Sequence, residues 1–229
     1  MPESGPETIA AEGPARPVRV VCFDWGGVIL RICRSWAEAC ARAGVELVVD
    51  DEAFAAKRRS VAEAYQLGRL GDDEFVQRVS EACLGKYTPE QVRRVHEAWL
   101  IEEYRGMAEV VGALNARDGV STGLLSNTNG LHWREQLGVN EGGTGRFRVA
   151  RSIEIRVGSQ QVGLAKPDPA VYGAFEAVSG AHGREVLFFD DLAENVKAAR
   201  ARGWRAERVA PDGEPAELIS ASLRAHGVL

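Results

Sequence analysis

The sequence predicts an α/β fold: a parallel sheet with helices on both faces, interrupted near its start by a block of helices. Three observations predict it. Short β-branched and apolar runs at 18–24, 120–127 and 185–191 read as buried strands, and each ends in small polar or acidic residues. In the second half of the chain, helical patterns alternate with these runs, as a parallel sheet with helical crossovers requires. Residues 31–115 carry a helical block too long for an ordinary crossover, so it reads as an inserted cap.

In chain order, VRVVCFD (18–24) is a strand that runs into Gly26 and Gly27. From there to about residue 116 the patterns read as helical throughout. Ser35 and Glu38 form a capping-box spacing, with Trp36, Cys40 and Ala43 on one face and Gly44 at the stop. Asp72 is placed to cap a helix carrying Phe75, Val79 and Cys83. Thr88-Pro89-Glu90-Gln91 starts another helix, with Val92, Val95 and Trp99 on its inner face. Met107, Val110, Val111 and Leu114 mark one more, which leads to Gly119.

VSTGLLSN (120–127) is the next strand. FRVARSIEIRV (147–157) alternates in part like strands. Asp168-Pro169 opens a helix with Val171, Phe175 and Val178 on one face. EVLFFDD (185–191) is a second buried strand, NVKAARAR (195–202) a helix stopped by Gly203, and WRAERV (204–209) a last short strand.

Composition narrows the function. An apolar share of 45% in 229 residues supports a soluble globule with a real core. A net charge of −5 gives no basic field, so nucleic acid is not an expected partner. No run reaches the roughly 18 apolar residues of a membrane span. Residues 1–17 lack the basic start and apolar core of a secretory signal and read as a flexible tail. The expected location is cytoplasmic. Cys22, Cys33, Cys40 and Cys83 show no metal-ligand spacing and read as reduced, packed thiols.

Three strands end in reactive groups: Asp24, Ser126 and the pair Asp190-Asp191. In open parallel sheets the site forms outside the carboxyl ends of the strands, so these residues are expected to share one crevice, joined by Lys166. Gathered carboxylates favour a hard divalent cation such as Mg²⁺. A hydroxyl, a lysine and backbone N–H groups suit phosphate, and a free carboxylate held against it can attack phosphorus. Glycines at 26 and 27 let the main chain approach a ligand closely.

From residue 18 onward the chain resembles the haloacid dehalogenase-like hydrolases. FDWGGV around Asp24, LLSNTN with Ser126, AKPDPAVY with Lys166 and FFDDLAENV with Asp190-Asp191 match that family's four motifs in order. The resemblance implies a Rossmann-like core at 18–30 and 116–229, with a helical cap at 31–115. It implies a Mg²⁺-dependent phosphatase acting on a small phosphorylated molecule, a sugar phosphate among the options. Asp24 would be the nucleophile and a metal ligand, and the Gly26 carbonyl a second ligand. Asp191 would touch the metal directly, with Asp190 supporting or sharing. Ser126 and the amide of Asn127 would hold phosphate oxygens, and Lys166 would neutralise phosphate and nucleophile. Asn195 would orient Asp191 or a metal-bound water. Monomer and homodimer both remain open.

The chain departs from the pattern at Gly26, where most phosphatases of this family carry a second aspartate that protonates the leaving alcohol and activates water. Glu38, Tyr65, Arg69 and Glu103 of the helical block are candidate substitutes. The departure keeps two alternatives open: a 2-haloacid dehalogenase, which needs no metal, and a catalytically weak phospho-ligand-binding protein. Trp25 reads equally as a substrate-facing ring or a core ring. His96, His132, His182 and His226 fit no motif and are expected on surfaces or helices. Arg58, Arg59, Arg93 and Arg94 are expected on solvated helix faces.

Overall fold

The computed structural model describes residues 17–48, 51–137, 146–210 and 213–229, so the expected tail at 1–17 lies, except for Pro17, outside the described residues. The elements run β1 (Val20–Phe23), β2 (Leu30–Ile32), α1 (Trp36–Ala43), α2 (Glu52–Gln66), α3 (Asp72–Ala82), α4 (Pro89–Glu97), β3 (Leu100–Glu103), α5 (Met107–Asn115) and β4 (Ser121–Ser126). There follow α6 (Gly130–Leu137), α7 (Arg148–Ser152), β5 (Ile155–Gly158), α8 (Ser159–Val162), α9 (Pro169–Ser179), β6 (Val186–Asp190), α10 (Ala193–Ala201), β7 (Arg205–Arg208) and α11 (Pro215–Ala225).

Five strands form a parallel sheet in the order β5-β4-β1-β6-β7. The first strand is therefore central. Phe23 lies level with Leu124 of β4 on one side and Phe189 of β6 on the other. The chain moves outward from β1 first to one side and later to the other, which makes the C-terminal end of β1 the switch point where ligands bind in such sheets.

Alternation along the strands splits the core in two. Val21, Phe23, Leu124, Leu187 and Phe189 face Val111 and Leu114 of α5, Val149 of α7, and Ile219 and Leu223 of α11. Val20, Cys22, Leu125, Val186 and Phe188 face Val171 and Phe175 of α9 and Val196 of α10. Phe23 and Phe189 stack across the strand boundary at 5.8 Å. The helices α1–α4 bury a third cluster of their own, built on Cys40, Tyr65, Phe75, Val79, Tyr87, Val92 and Val95. All four cysteines are buried and none forms a disulfide. Among the described residues, no helix is long and apolar enough to cross a membrane.

Several local readings differ from the structure. The stretch to residue 116 is not helical throughout: β2 and β3 pair antiparallel, Leu30 with Glu103 and Ile32 with Leu100. Runs of three and four residues are too short for a period to show in the sequence. In 147–157 only the second half is a strand; Arg148–Ser152 is a helix whose Val149 and Ala150 meet α5. Gly71, not Asp72, occupies the cap position of α3. Asp72 instead takes the Tyr65 hydroxyl proton at 2.6 Å and pairs with Arg134. Val178 is 61% exposed, because the buried arc of α9 runs through Val171, Tyr172, Phe175 and Glu176 and leaves Val178 at its margin.

The other capping signals hold, although Glu38 accepts from the Arg34 N–H and leaves the Ser35 box half formed. Ser35 accepts from the Glu38 N–H, and Asp168 accepts from the Ala170 N–H with Pro169 in the first helical position. Thr88 and Gln91 form a reciprocal box at 3.2 and 2.8 Å. Removing the Thr88 hydroxyl orphans a helix N–H and frees the return bond. Thr88→Ala is expected to lower unfolding free energy by about 1 kcal/mol, read as a lower midpoint with unchanged slope in urea denaturation.

Candidate active site

Asp24 extends β1 past its last ladder residue, and its N–H donates to the Phe189 carbonyl at 2.8 Å. Its Oδ1 accepts from the Trp25 N–H at 2.7 Å. Lys166 sits in the loop before α9 and is 5% exposed. Its ammonium bridges Asp24 Oδ1 at 2.8 Å and Asp190 Oδ2 at 2.7 Å. The loop is clamped from β4: Asn127 accepts from the Lys166 N–H and donates to the Lys166 carbonyl, both at 2.8 Å. The Asn127 side chain thus positions Lys166, a function separate from the phosphate contact expected of its backbone.

Asp190 and Asp191 leave β6 in different directions. Asp190 accepts from the Leu192 N–H at 2.9 Å and from Asn195 Nδ2 at 2.9 and 3.1 Å. Asn195 therefore holds Asp190, not Asp191 as expected. Its Oδ1 is buried with no hydrogen-bond partner among the described residues. Asp191 pairs with Arg34 at 2.9 Å. Oxygens of Asp24, Asp190 and Asp191 lie within 4.8 Å of one another. Gly27 closes the group at φ +87, where a Cβ would collide with Asp191 Oδ2.

The electrostatics follow from three buried carboxylates against one buried ammonium. Desolvation lifts Asp24 to about 7; Lys166 opposes this, while Asp190 and then Asp191 reinforce it. Burial pulls Lys166 down, but the attraction of Asp190 and Asp24 more than offsets it and leaves the ammonium above the usual lysine range. Buried Cys22 is pushed up, chiefly by desolvation, and stays a thiol. The excess negative charge, the all-oxygen donor set and the unpartnered Asn195 oxygen fit a hard divalent cation.

Beside the carboxylates, a cavity of about 540 Å³ opens between the sheet's C-terminal edge and α1–α4. Trp25, Gly26, Ser126 and Asn127 form its core-side wall, and Trp36, Arg58, Tyr65 and Phe75 line the helical side. Trp25 is 2% exposed and meets Phe147 edge-on at 5.7 Å, so the ring belongs to the core while one edge reaches the cavity. Ile32 fills the space beside Gly26: a Cβ at 26 would lie 2.9 Å from Ile32 Cδ1. Of the four candidate substitutes for the missing acid, only Tyr65 lines this cavity. Glu38 and Glu103 line a neighbouring cleft, where they accept from the Arg34 and Val149 N–H groups, and Arg69 is exposed.

Sequence reasoning passed over Arg34, Arg58 and two histidines. Arg58 is 7% exposed and lies over the Trp36 ring at 4.9 Å, not on a solvated face. Arg59 pairs with Glu52, Arg93 with Asp73 at 2.7 Å, and Arg94 donates to the Ala43 carbonyl. His96 of α4 and His132 of α6 are stacked at 3.9 Å with rings 5° apart, which joins the helical block to the core. His132 Nε2 lies 2.9 Å from the His96 carbonyl and His96 Nε2 lies 3.1 Å from Asn129 Oδ1. Both acceptors lack protons, so both rings carry a proton on Nε2. Asn129 Nδ2 then donates to His132 Nδ1 at 3.3 Å. No residue spacing announces this pair, since its members come from separate units.

A doubly wound α/β core, with carboxylates at the ends of neighbouring strands and a buried loop lysine beneath a helical insert, places the protein in the hydrolase class. The chain belongs to the haloacid dehalogenase-like hydrolase family, whose model matches residues 18–203. It is 35% identical over 77 residues to phosphatase MT3486 of Mycobacterium tuberculosis, a match covering 34% of this chain and 36% of that protein. It is 25% identical over 191 residues to D-ribitol-5-phosphate phosphatase of Bacteroides thetaiotaomicron, covering 82% and 89% respectively. Among solved structures it resembles a haloacid dehalogenase family enzyme of Bacteroides thetaiotaomicron, with a TM-score of 0.73, 22% identity and coverage of 89% of this chain and 99% of that one. That enzyme has also been solved with magnesium and inorganic phosphate, at a TM-score of 0.69, 20% identity and coverage of 88% and 98%.

Burial lowers His132 from 6.5 to about 4, and burial with the neighbouring His132 lowers His96. On acidification the unfolded chain takes up the His132 proton first. Its contribution to stability is therefore intact above pH 6.5 and lost progressively toward pH 4. The loss is on the order of 3 kcal/mol for His132. Thermal midpoints across this window should fall more steeply for the native protein than for His132→Gln.

Proposed function

We propose that the protein is a Mg²⁺-dependent phosphohydrolase acting on a small phosphomonoester through an aspartyl-phosphate on Asp24. The observation that carries this reading is the convergence of Asp24, Asp190 and Asp191, two of them bonded to the Lys166 ammonium, beside a cavity lined by Gly26, Ser126 and Asn127. The phosphatases among its relatives lend support. The donor set argues against a dehalogenase, because halide displacement from carbon gives no use for three gathered carboxylates.

In this reading Asp24, Asp191 and the Gly26 carbonyl hold the cation, with Asp190 beside them and bound to Lys166. The bound ion supplies positive charge that offsets the carboxylates' mutual repulsion and admits an anionic phosphate. Lys166 favours the ionised form of Asp24 and neutralises phosphate oxygens. The Ser126 hydroxyl and Asn127 N–H orient those oxygens. An Asp24 carboxylate oxygen bonds to phosphorus, and the bond to the leaving oxygen breaks with its electron pair on that oxygen. Water then attacks phosphorus, phosphate leaves, and Asp24 is regenerated. Asn195 and Asn127 are positioning residues: one fixes Asp190, the other the Lys166 loop.

The inserted segment at 31–115 acts as the cap over this chemistry. Because α5 packs on the sheet, α1–α4 form its working part. Four buried cysteines with no disulfide among them favour a reducing compartment, which keeps the cytoplasm as the proposed location.

Phosphate release from a panel of esters should require Mg²⁺ and fall by on the order of 10³-fold or more in Asp24→Asn. Saturating Mg²⁺ should raise the melting temperature by roughly 5–10 °C, and Asp191→Asn should lose that rise. Halide release from a 2-haloacid without Mg²⁺, or no phosphate release by folded, Mg²⁺-saturated protein, would overturn the reading.

A further inference from the structure

Apart from the clustered Asp24, Asp190 and Asp191 beside it, the cavity offers a departing alcohol no carboxylic acid among the described residues. Residue 26 has no side chain, and Ile32 occupies the space beside it. None of the described residues lining the cavity is Asp or Glu. Its charged groups are arginines, which give up no proton at neutral pH. The remaining titratable groups have their protons committed: Tyr65 donates to Asp72, His132 to the His96 carbonyl and His96 to Asn129. Both imidazoles are neutral, held there by burial. Between these polar groups the walls carry a large apolar and aromatic surface, from Trp25, Trp36, Phe75 and Trp99 to Ile32 and Leu100.

We propose that this site is matched to the phosphate ester of an acidic hydroxyl carried on an apolar ring, an aryl phosphate, whose oxygen departs unprotonated. The proposal rests on the phosphohydrolase reading and adds the substrate class to it. The bond from Asp24 oxygen to phosphorus forms as the bond from phosphorus to the aryl oxygen breaks. The electron pair stays on that oxygen, and the ring spreads the charge. No proton moves in this step; the phenolate is protonated later by solvent. The aspartyl-phosphate is then cleaved by water, whose proton passes to bulk solvent. Residue 26 offers no base for that second step either, so the phosphoenzyme accumulates and an aryl substrate gives a burst of phenol.

The test compares nitrophenyl, phenyl and primary alkyl phosphates and acetyl phosphate with the intact Mg²⁺-loaded protein. Expected is a kcat/KM that falls with leaving-group basicity, by at least ~10²-fold from phenyl to alkyl. The phenyl ester should also exceed acetyl phosphate, which leaves readily but has no ring. Alkyl turnover within about tenfold of phenyl turnover, or acetyl phosphate matching the aryl esters, overturns the proposal while the phosphohydrolase reading stands. Phosphate release from none of the four overturns both. A second arm uses the double variant Gly26→Asp/Ile32→Val, with folding checked by circular dichroism. It should raise alkyl relative to phenyl turnover by at least about tenfold; an equally steep dependence in the folded variant counts against the proposal.

Discussion

The Lys166 ammonium is the interaction on which the site depends. Burying one carboxylate without a partner costs several kcal/mol, and here three lie within reach of one another. A lysine 5% exposed and bonded to two of them offsets part of that cost and leaves a net negative charge. The direction of each shift follows from this imbalance. Asp24 is lifted because solvation is lost and like charges remain; Lys166 is lifted because it is outnumbered. Such a site stays incomplete as an electrostatic object until more positive charge arrives, which links the fold's least favourable burial to its proposed chemistry.

The lysine reaches this place through topology. Placing the first strand at the sheet centre brings Asp24 between Ser126 on β4 and Asp190 on β6 without any long loop. Lys166 comes from the connection beyond β5, and the Asn127 side chain ties that connection to the end of β4 through two backbone bonds. The short β2–β3 pair brings the entry and exit of the helical block together. It also sets Ile32 against Gly26, so the stem of the insert shapes the floor of the cavity it covers.

The large features are legible in the sequence because they rest on repetition or on rules of parallel sheets. Runs such as VVCF and VLFFD are apolar on both faces, as a central strand must be, and caps such as Thr88-Pro89-Glu90-Gln91 carry their own stereochemistry. Grouping Asp24 with Asp190 and Asp191 needs no contact information, because a parallel sheet puts all its C-terminal ends on one edge. What stays hidden depends on pairing between distant segments. The β2–β3 ladder is too short to show a period. Arg58 looks like any helix arginine until Trp36 lies under it. His96 and His132 have meaning only once the helical block rests on the core.

The glycine at 26 and the isoleucine at 32 are best understood together. A glycine alone is an absence that a water or a mobile side chain could fill. Ile32 narrows that option, since its Cδ1 lies 2.9 Å from where a Cβ at 26 would start. The space beside Gly26 is thus taken by a side chain that can neither give nor take a proton, and tryptophan, phenylalanine and aliphatic carbon share the surrounding walls with arginines. The arginines of the lining can steady the charge on a departing oxygen but give up no proton to it. A ring that delocalises the departing charge eases both difficulties at once, since it needs less stabilisation at oxygen and fits apolar walls. The loss of the acid and the hydrophobic character of the cavity are thus physically coupled, and each makes the other tolerable.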